Sequence, residues 1–325
     1  MADPRARVPL ARTRLRVTRL GLGTAPLGGL YEPVPEHVAD GVVRRARAHG
    51  IRFFDTAPLY GSGLSERRLG AALRDHPRDD VVVSTKVGRL LQPNDEGQRS
   101  LFRGAPQLHP VFDFSYDGAL RSLEASLARL GLDRVDIVLI HDPDDHFEEA
   151  LRGTYVALRR LRDERVVGAI GAGMNQSELL CRFAREADLD CFLLAGRYTL
   201  LDTTAARELL PLCLERGIAV IAGGVFNSGI LADPESTTFD YRPASVEIVE
   251  QTRRLDRVCR RWQVPLAAAA VQFPLGHSAV RSVLVGCRSV NELDEDVRLV
   301  ERRIPAGLWD ELRDAGLLPE DVATP

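Results

Sequence analysis

Four side chains in the first half of the chain are of the types that move protons at a carbonyl. Three stand directly after short apolar runs: Asp55 after Phe53 and Phe54, Lys86 after Val81–Thr85, and His141 after Val135–Ile140. The fourth, Tyr60, follows Asp55 in the run DTAPLYGSGLSE. Tyrosine has an ordinary pKa near 10, too high for a group that must give and take a proton near neutrality. An ammonium within about 4–6 Å stabilises the phenolate and lowers that value. Lys86 can supply the ammonium, Asp55 can hold it in place, and His141 can hydrogen-bond and orient a substrate oxygen. Together they form a constellation for proton transfer coupled to hydride transfer at a carbonyl carbon. The bland alternative is structural: buried charges are costly unless paired, and Asp55 with Lys86 makes a compensating pair.

These residues meet only if successive strand ends converge. Short apolar runs alternate with stretches of helical period along the chain. Strands are expected at Val17–Gly23, Ile51–Phe54, Val81–Thr85, Val135–Ile140, Val167–Gly171, Cys191–Leu194, Ile218–Ala222 and Ser282–Val285. Helices are expected at Pro35–His49, Leu64–Arg74, Tyr116–Arg129, Phe147–Glu164, Gln176–Ala187, Asp202–Arg216, Val246–Trp262 and Val290–Glu301. Unbroken apolar strands are buried on both faces, as in parallel sheets. Eight such β-α units predict a closed (β/α)₈ TIM barrel, with all of residues 1–325 in one domain. Val8–Arg16 is expected to form a short N-terminal hairpin capping the barrel bottom, and Leu308–Ala315 an extra C-terminal helix. The connections Val87–Ser115 and Gly224–Pro243 exceed ordinary barrel loops and follow strand C-termini, where barrel active sites lie. Phe102, Phe112 and Phe114 suggest that the first of these is ordered and faces the substrate.

Composition narrows the function. With 43 Lys and Arg against 46 Asp and Glu, the 325-residue chain carries a net charge of -3, which gives no electrostatic footprint for nucleic acid or an anionic membrane. No apolar run approaches the roughly 20 residues of a membrane span, and the N-terminus lacks the apolar core of a signal peptide. The five cysteines form no C-x-x-C pair and are expected to be buried thiols in a reducing, cytoplasmic setting. Dinucleotide fingerprints fail: neither the run from Gly21 to Pro26 nor that from Gly171 to Gln176 has the third glycine. A hydrolytic metal site on His141, Asp142 and His146 finds no second histidine-rich strand end to complete it, so no metal is expected.

The runs FFDTAPLYGSGLSE (Phe53–Glu66), VVVSTK and VLIH resemble the aldo-keto reductase family, over nearly the whole chain from Val17 to about Val300. The resemblance implies a (β/α)₈ barrel, a nicotinamide cofactor (NAD or NADP) and a catalytic tetrad at Asp55, Tyr60, Lys86 and His141. It implies cofactor contacts at Gly23 and Thr24, at Asn175 for the carboxamide, and along Phe226, Asn227, Ser228 and Gly229 over the pyrophosphate. Arg288, Ser289 and Glu292 fall at the adenosine end. Glu292 stands where phosphate-selecting members tend to carry Arg, which favours NAD, whereas Arg288 could pair with a 2′-phosphate. Three positions depart from the pattern: Ala195 replaces the usual Gln, Gly223 the usual stacking aromatic, and Asp296 the usual Asn. Phe226 is the candidate to supply the stacking surface instead.

The runs AGRYTLLD (Ala195–Asp202) and AGGVFNSGIL (Ala222–Leu231) resemble the aldose 1-dehydrogenase branch, which includes L-fucose, D-threo-aldose and L-galactose dehydrogenases; pyridoxal dehydrogenase is similar in the same places. The expected substrate is a small neutral sugar in its ring form, oxidised at C1 to a lactone, with Asn227, Arg197 and the Val87–Ser115 loop as candidate hydroxyl partners. The alternatives are a pyridoxal dehydrogenase, an aldehyde or ketone reductase of secondary metabolism, and a non-catalytic regulatory subunit that binds cofactor.

Overall fold

A computed structural model describes residues 3–93 and 100–325. Eight parallel strands close into a barrel. They are β1 (Leu20–Gly23), β2 (Phe53–Asp55), β3 (Val82–Val87), β4 (Ile137–His141), β5 (Ala169–Met174), β6 (Cys191–Ala195), β7 (Ala219–Gly223) and β8 (Val280–Val285). Each pairs with its sequence neighbour, and β8 closes on β1 through Val283↔Leu20. Alternation sorts the side chains. Phe53, Ile137, Leu139, Cys191, Leu193, Ile221 and Leu284 fill the barrel interior, while Phe54, Val83, Val138 and Ile140 join the larger core under the helices.

The hairpin exists: Arg7–Pro9 pairs antiparallel with Arg16–Thr18, and Leu10 and Val17 plug the barrel floor with no exposed surface. This splits the expected strand Val17–Gly23 in two, because its first residues belong to the plug. Arg19 marks the break, donating to the carbonyls of Val280 (2.9 Å) and Leu275 (2.8 Å). The chain also has a helix that periodicity does not show, Leu266–Gln272, between β7 and β8. Every residue of it is buried, so no polar face marks its period. The expected helix Phe147–Glu164 contains a π-helical stretch at Ala150–Thr154. The expected helix Asp202–Arg216 is regular only over Leu209–Arg216. A C-terminal helix runs over Ala306–Asp314, and all five cysteines are buried and free. No helix among the described residues is long and apolar enough to cross a membrane.

Both long connections are ordered where they are described. After β3, Arg89–Pro93 pairs antiparallel with Leu108–Phe112; residues 94–99, inside the expected Val87–Ser115 loop, lie outside the described residues. Residues 101–103 then lie on the connection after β1: Tyr31 N donates to Leu101 O (2.9 Å) and Arg103 N to Gly29 O (2.8 Å). After β7, the chain makes a tiny hairpin, Thr238–Phe239 with Arg242–Pro243. All three segments stand at the C-terminal mouth.

Candidate active site

The period of two places the polar residues. Phe53 faces inward, so Asp55 does too; Val82 leads likewise to Ser84 and Lys86, and Leu139 to His141. The register pairs Asp55 with Ser84, and Ser84 Oγ donates to Asp55 Oδ1 at 2.7 Å. Lys86 stands one inward layer higher. Its Nζ donates to Asp55 Oδ2 (2.6 Å), to the Thr56 carbonyl (2.9 Å) and to Tyr60 Oη (3.1 Å). Asp55 and Lys86 are almost wholly buried. Tyr60 rides on a tight turn in which Gly61 is left-handed, at φ 62°; a side chain there would collide with the Gly28 backbone.

The electrostatics follow from burial. Burial lowers the Lys86 pKa, but Asp55 and Tyr60 outweigh it and leave Lys86 firmly charged. Burial raises the Tyr60 pKa above its ordinary 10, and Lys86 only partly offsets this. The expectation of a Tyr60 pKa lowered by Lys86 is therefore corrected: in the protein alone, desolvation wins. Burial, then the charges of Arg89 and Lys86, hold His141 well below its ordinary 6.5, so its ring is neutral. That ring stands edge-on to Tyr60, with centroids 6.0 Å apart. This layer can hold a phenol, a fixed ammonium and a neutral imidazole around one substrate oxygen.

Two neighbours play no part in the sequence reading of the tetrad. Asp142, next after His141, has left-handed backbone (φ 42°), and its Oδ2 lies 3.4 Å from His141 Nε2. Arg89 Nη2 donates to the same oxygen at 3.0 Å, and the guanidinium rests 4.7 Å over the Phe112 ring. A two-residue step back from Lys86 would have found Ser84; nothing local announces Arg89, which reaches the site from the hairpin. Of the loop aromatics, Phe102 lies 6.2 Å from the Tyr60 ring, Phe112 carries Arg89, and Phe114 is core rather than substrate-facing. The His146 ring lies tilted against Phe112 and Phe114, with its Nδ1 3.4 Å from Glu149 Oε2. Among the described residues no group of three or more His, Cys, Asp and Glu could hold a metal.

The residues expected to hold a cofactor lie along the ends of β1, β5, β7 and β8. Gly23 ends β1 beside Thr24, whose Oγ1 donates to the Asp55 carbonyl (2.9 Å) and lies 2.6 Å from Ser65 Oγ. The Thr24 hydroxyl thus supports Asp55. Asn175 follows β5, half-buried, beside Gln176, whose Oε1 is buried without a partner among the described residues. After β7, Asn227, Ser228 and Gly229 run through the left-handed region (φ 45°, 59° and 100°); the Asn227 and Gly229 N–H groups close the turn onto Gly224 O (2.9 Å) and Phe226 O (3.0 Å), whereas the Ser228 N–H has no partner among the described residues. Asn227 is buried and its Oδ1 also lacks a partner there. Phe226 is half-buried against the helix-side core. Ser289 caps the helix Val290–Glu301, accepting from Glu292 N at 3.2 Å, and Glu292 accepts from Arg288 N at 2.8 Å. The orphaned amide oxygens suit the N–H and O–H donors of a long polar ligand, such as a carboxamide and sugar hydroxyls. Arg197, a candidate for substrate hydroxyls, is paired with Asp240 (2.8 Å) and clips the small hairpin down. From that hairpin Tyr241 reaches to 6.4 Å from the Tyr31 ring, and its backbone N–H donates to Ser228 Oγ at 3.0 Å.

The sequence model described as the aldo/keto reductase family matches residues 19–316. The chain is 44% identical to a pyridoxal 4-dehydrogenase of Microbacterium luteolum over 333 residues, covering 95% of this chain and 97% of that one. It is 44% identical to a D-threo-aldose 1-dehydrogenase of Pseudomonas sp over 319 residues, with the same two coverages, 95% and 97%. An aldo-keto reductase from Bacillus halodurans, solved in its holo form, superposes with a TM-score of 0.76 over 97% of both chains at 24% identity.

Proposed function

The chain belongs to the aldo/keto reductase family of oxidoreductases, and we propose that within it the protein is an NAD-preferring dehydrogenase that oxidises a small neutral aldose ring at C1 to the lactone. The observation that carries this reading is the Lys86 ammonium, bonded at once to Asp55 and to Tyr60 Oη beside a neutral His141. In the proposal, Tyr60 as phenolate takes the proton of the C1 hydroxyl. His141 donates to the same oxygen and fixes its position, and Lys86 stabilises the phenolate while Asp55 holds Lys86. C1 gives up its hydride and becomes doubly bonded to oxygen. A nicotinamide, when bound, supplies the hydride acceptor. Asn175 would hold the cofactor's carboxamide and the turn Phe226–Gly229 would lie over its pyrophosphate, with Gly23, Thr24, Ser289 and Glu292 around it. The whole chain would act as one barrel domain, in the cytoplasm.

Two features support the finer choices. The Arg89–Asp142 ion pair offers both a donor and an acceptor beside the reacting layer without net charge, which suits neutral hydroxyls. Arg288 lies 3.4 Å from Glu32 and 3.6 Å from Glu292, so a 2′-phosphate would have to compete with two carboxylates. A second reading, oxidation of a pyridoxal-like aromatic, is favoured by the rings of Tyr31, Phe102 and Tyr241 about the mouth.

The test is a panel of initial rates with NAD and NADP: L-fucose, D-arabinose, L-galactose, pyridoxal and simple ketones. Turnover of the sugars with NAD supports the proposal. Inert sugars beside good turnover of pyridoxal would move the substrate to the second reading. No turnover of any member, with cofactor still bound, would favour a non-catalytic role.

A further inference from the structure

His141 is a neutral ring with one proton and two nitrogens, and its task requires that proton on the nitrogen facing the substrate. The two nitrogens have different surroundings. Nδ1 is buried and has no hydrogen-bond partner among the described residues. Nε2 lies 3.4 Å from Asp142 Oδ2. Nδ1 lacks a partner there whichever way it is protonated, a buried donor in one tautomer and a buried acceptor in the other, so the choice between them falls to Nε2. With the proton on Nδ1, the bare Nε2 would stand 3.4 Å from a carboxylate oxygen, a repulsive pairing. A proton on Nε2 is favoured by that nearby charge, and because the two are not aligned as a hydrogen bond the N–H stays free for a substrate oxygen.

The carboxylate is placed with care for its backbone. Asp142 has φ 42°, a conformation that Asp, Asn and Gly adopt and most residues avoid, and its N–H donates to Gly173 O at 3.0 Å. Arg89 holds Oδ2 at 3.0 Å and is itself seated on Phe112, its partner across the hairpin register. The titratable and charged groups around the ring are Lys86 and the Tyr60 phenol from below and Arg89 and Asp142 from the mouth, with Asp144 and the Tyr241 phenol next out. Arg89 balances Asp142, so the carboxylate can orient the proton without drawing a second one onto the ring.

We propose that Asp142, anchored by Arg89, is a positioning residue that fixes the tautomer of His141 with the proton on Nε2. Its consequence for turnover rests on the reading of His141 as donor to the substrate oxygen; the tautomer itself does not.

The test is nitrogen NMR of the histidine rings in the full-length protein, with His141 assigned by its loss in His141→Gln. In the parent, Nε2 should show the shift of a protonated nitrogen and Nδ1 that of a bare one. Asp142→Gly removes the carboxylate at a backbone where glycine is free of strain, and should lose this pattern, averaging the two nitrogens or reversing them. Asp142→Asn keeps an acceptor oxygen and should restore it. Arg89→Met unbalances the carboxylate and should move the His141 titration to higher pH. A parent pattern retained in Asp142→Gly would overturn the proposal, as would an unmoved titration in Arg89→Met. Rates on the best panel substrate separate the two claims. Loss of the pattern with a fall in kcat, up to the roughly 10²–10³-fold of a lost oxyanion donor, supports both. Loss of the pattern with unchanged kcat supports the tautomer assignment and removes His141 from catalysis.

Discussion

Lys86 serves three acceptors with one ammonium, and its removal separates two effects. Lys86→Met takes away the charge that draws down the Tyr60 pKa, so the alkaline rise in oxidation rate should move to higher pH. A pH profile unchanged from the parent would disconnect the two side chains. The same substitution leaves Asp55 buried and unpaired, and breaking a buried pair costs about 3–5 kcal/mol. Asp55→Asn with Lys86→Met should recover part of the thermal stability but not the profile. At this scale the sequence is most legible for Asp55, Lys86 and His141, because each ends an apolar run whose alternation fixes its direction. Tyr60 is legible through its spacing from Asp55. The raised Tyr60 pKa is not, since it depends on how completely the layer is sealed from water. Nor is the Arg89–Asp142 pair, which depends on one left-handed residue and a hairpin that brings Arg89 back over the mouth.

The mouth is built from connections rather than strands. Residues 101–103 of the β3 connection lie on residues 29–31 of the β1 connection, and Gly29 (φ 90°) sits so close to Arg103 that a Cβ would collide with its carbonyl. Gly29→Ala should therefore detach this roof, with a strain of roughly 1–3 kcal/mol. Tryptic cleavage after the exposed Arg103, followed by mass, should quicken while the barrel stays folded. Cleavage at the parent rate would mean that the roof does not depend on this contact. Elements were legible where their hydrophobic period was clean, as in the alternation of strands with amphipathic helices. They were hidden where the period fails. Leu266–Gln272 is apolar all round, and Val17–Gly23 runs two strands of different sheets together with only Arg19 between them.

Over the whole molecule, pH acts through groups whose burial opposes charge. Burial raises the Asp296 pKa from its ordinary 3.8 to about 7, despite the Cys287 thiol donating to it at 3.2 Å. The folded protein thus holds a proton there that the unfolded chain has lost. Stability from this group falls as pH rises from about 4 to 7 and stays low above, by an amount on the order of a few kcal/mol. Asp296→Asn should raise the urea midpoint at pH 8 and change little at pH 4; an equal gain at both would show that Asp296 is not protonated on folding. Asparagine is also the residue that the family resemblance leads one to expect at this position. The proposed reaction needs one proton carrier beside one hydride acceptor, so the most direct measurement is on Tyr60. Tyr60→Phe keeps the ring and removes the hydroxyl. With the panel substrate that the parent oxidises fastest, kcat should fall by at least the 10²–10⁴-fold typical of a lost acid–base group, while the Kd for NAD, titrated separately, stays at the parent value. A Tyr60→Phe protein that binds NAD and turns over at near the parent rate would contradict the account.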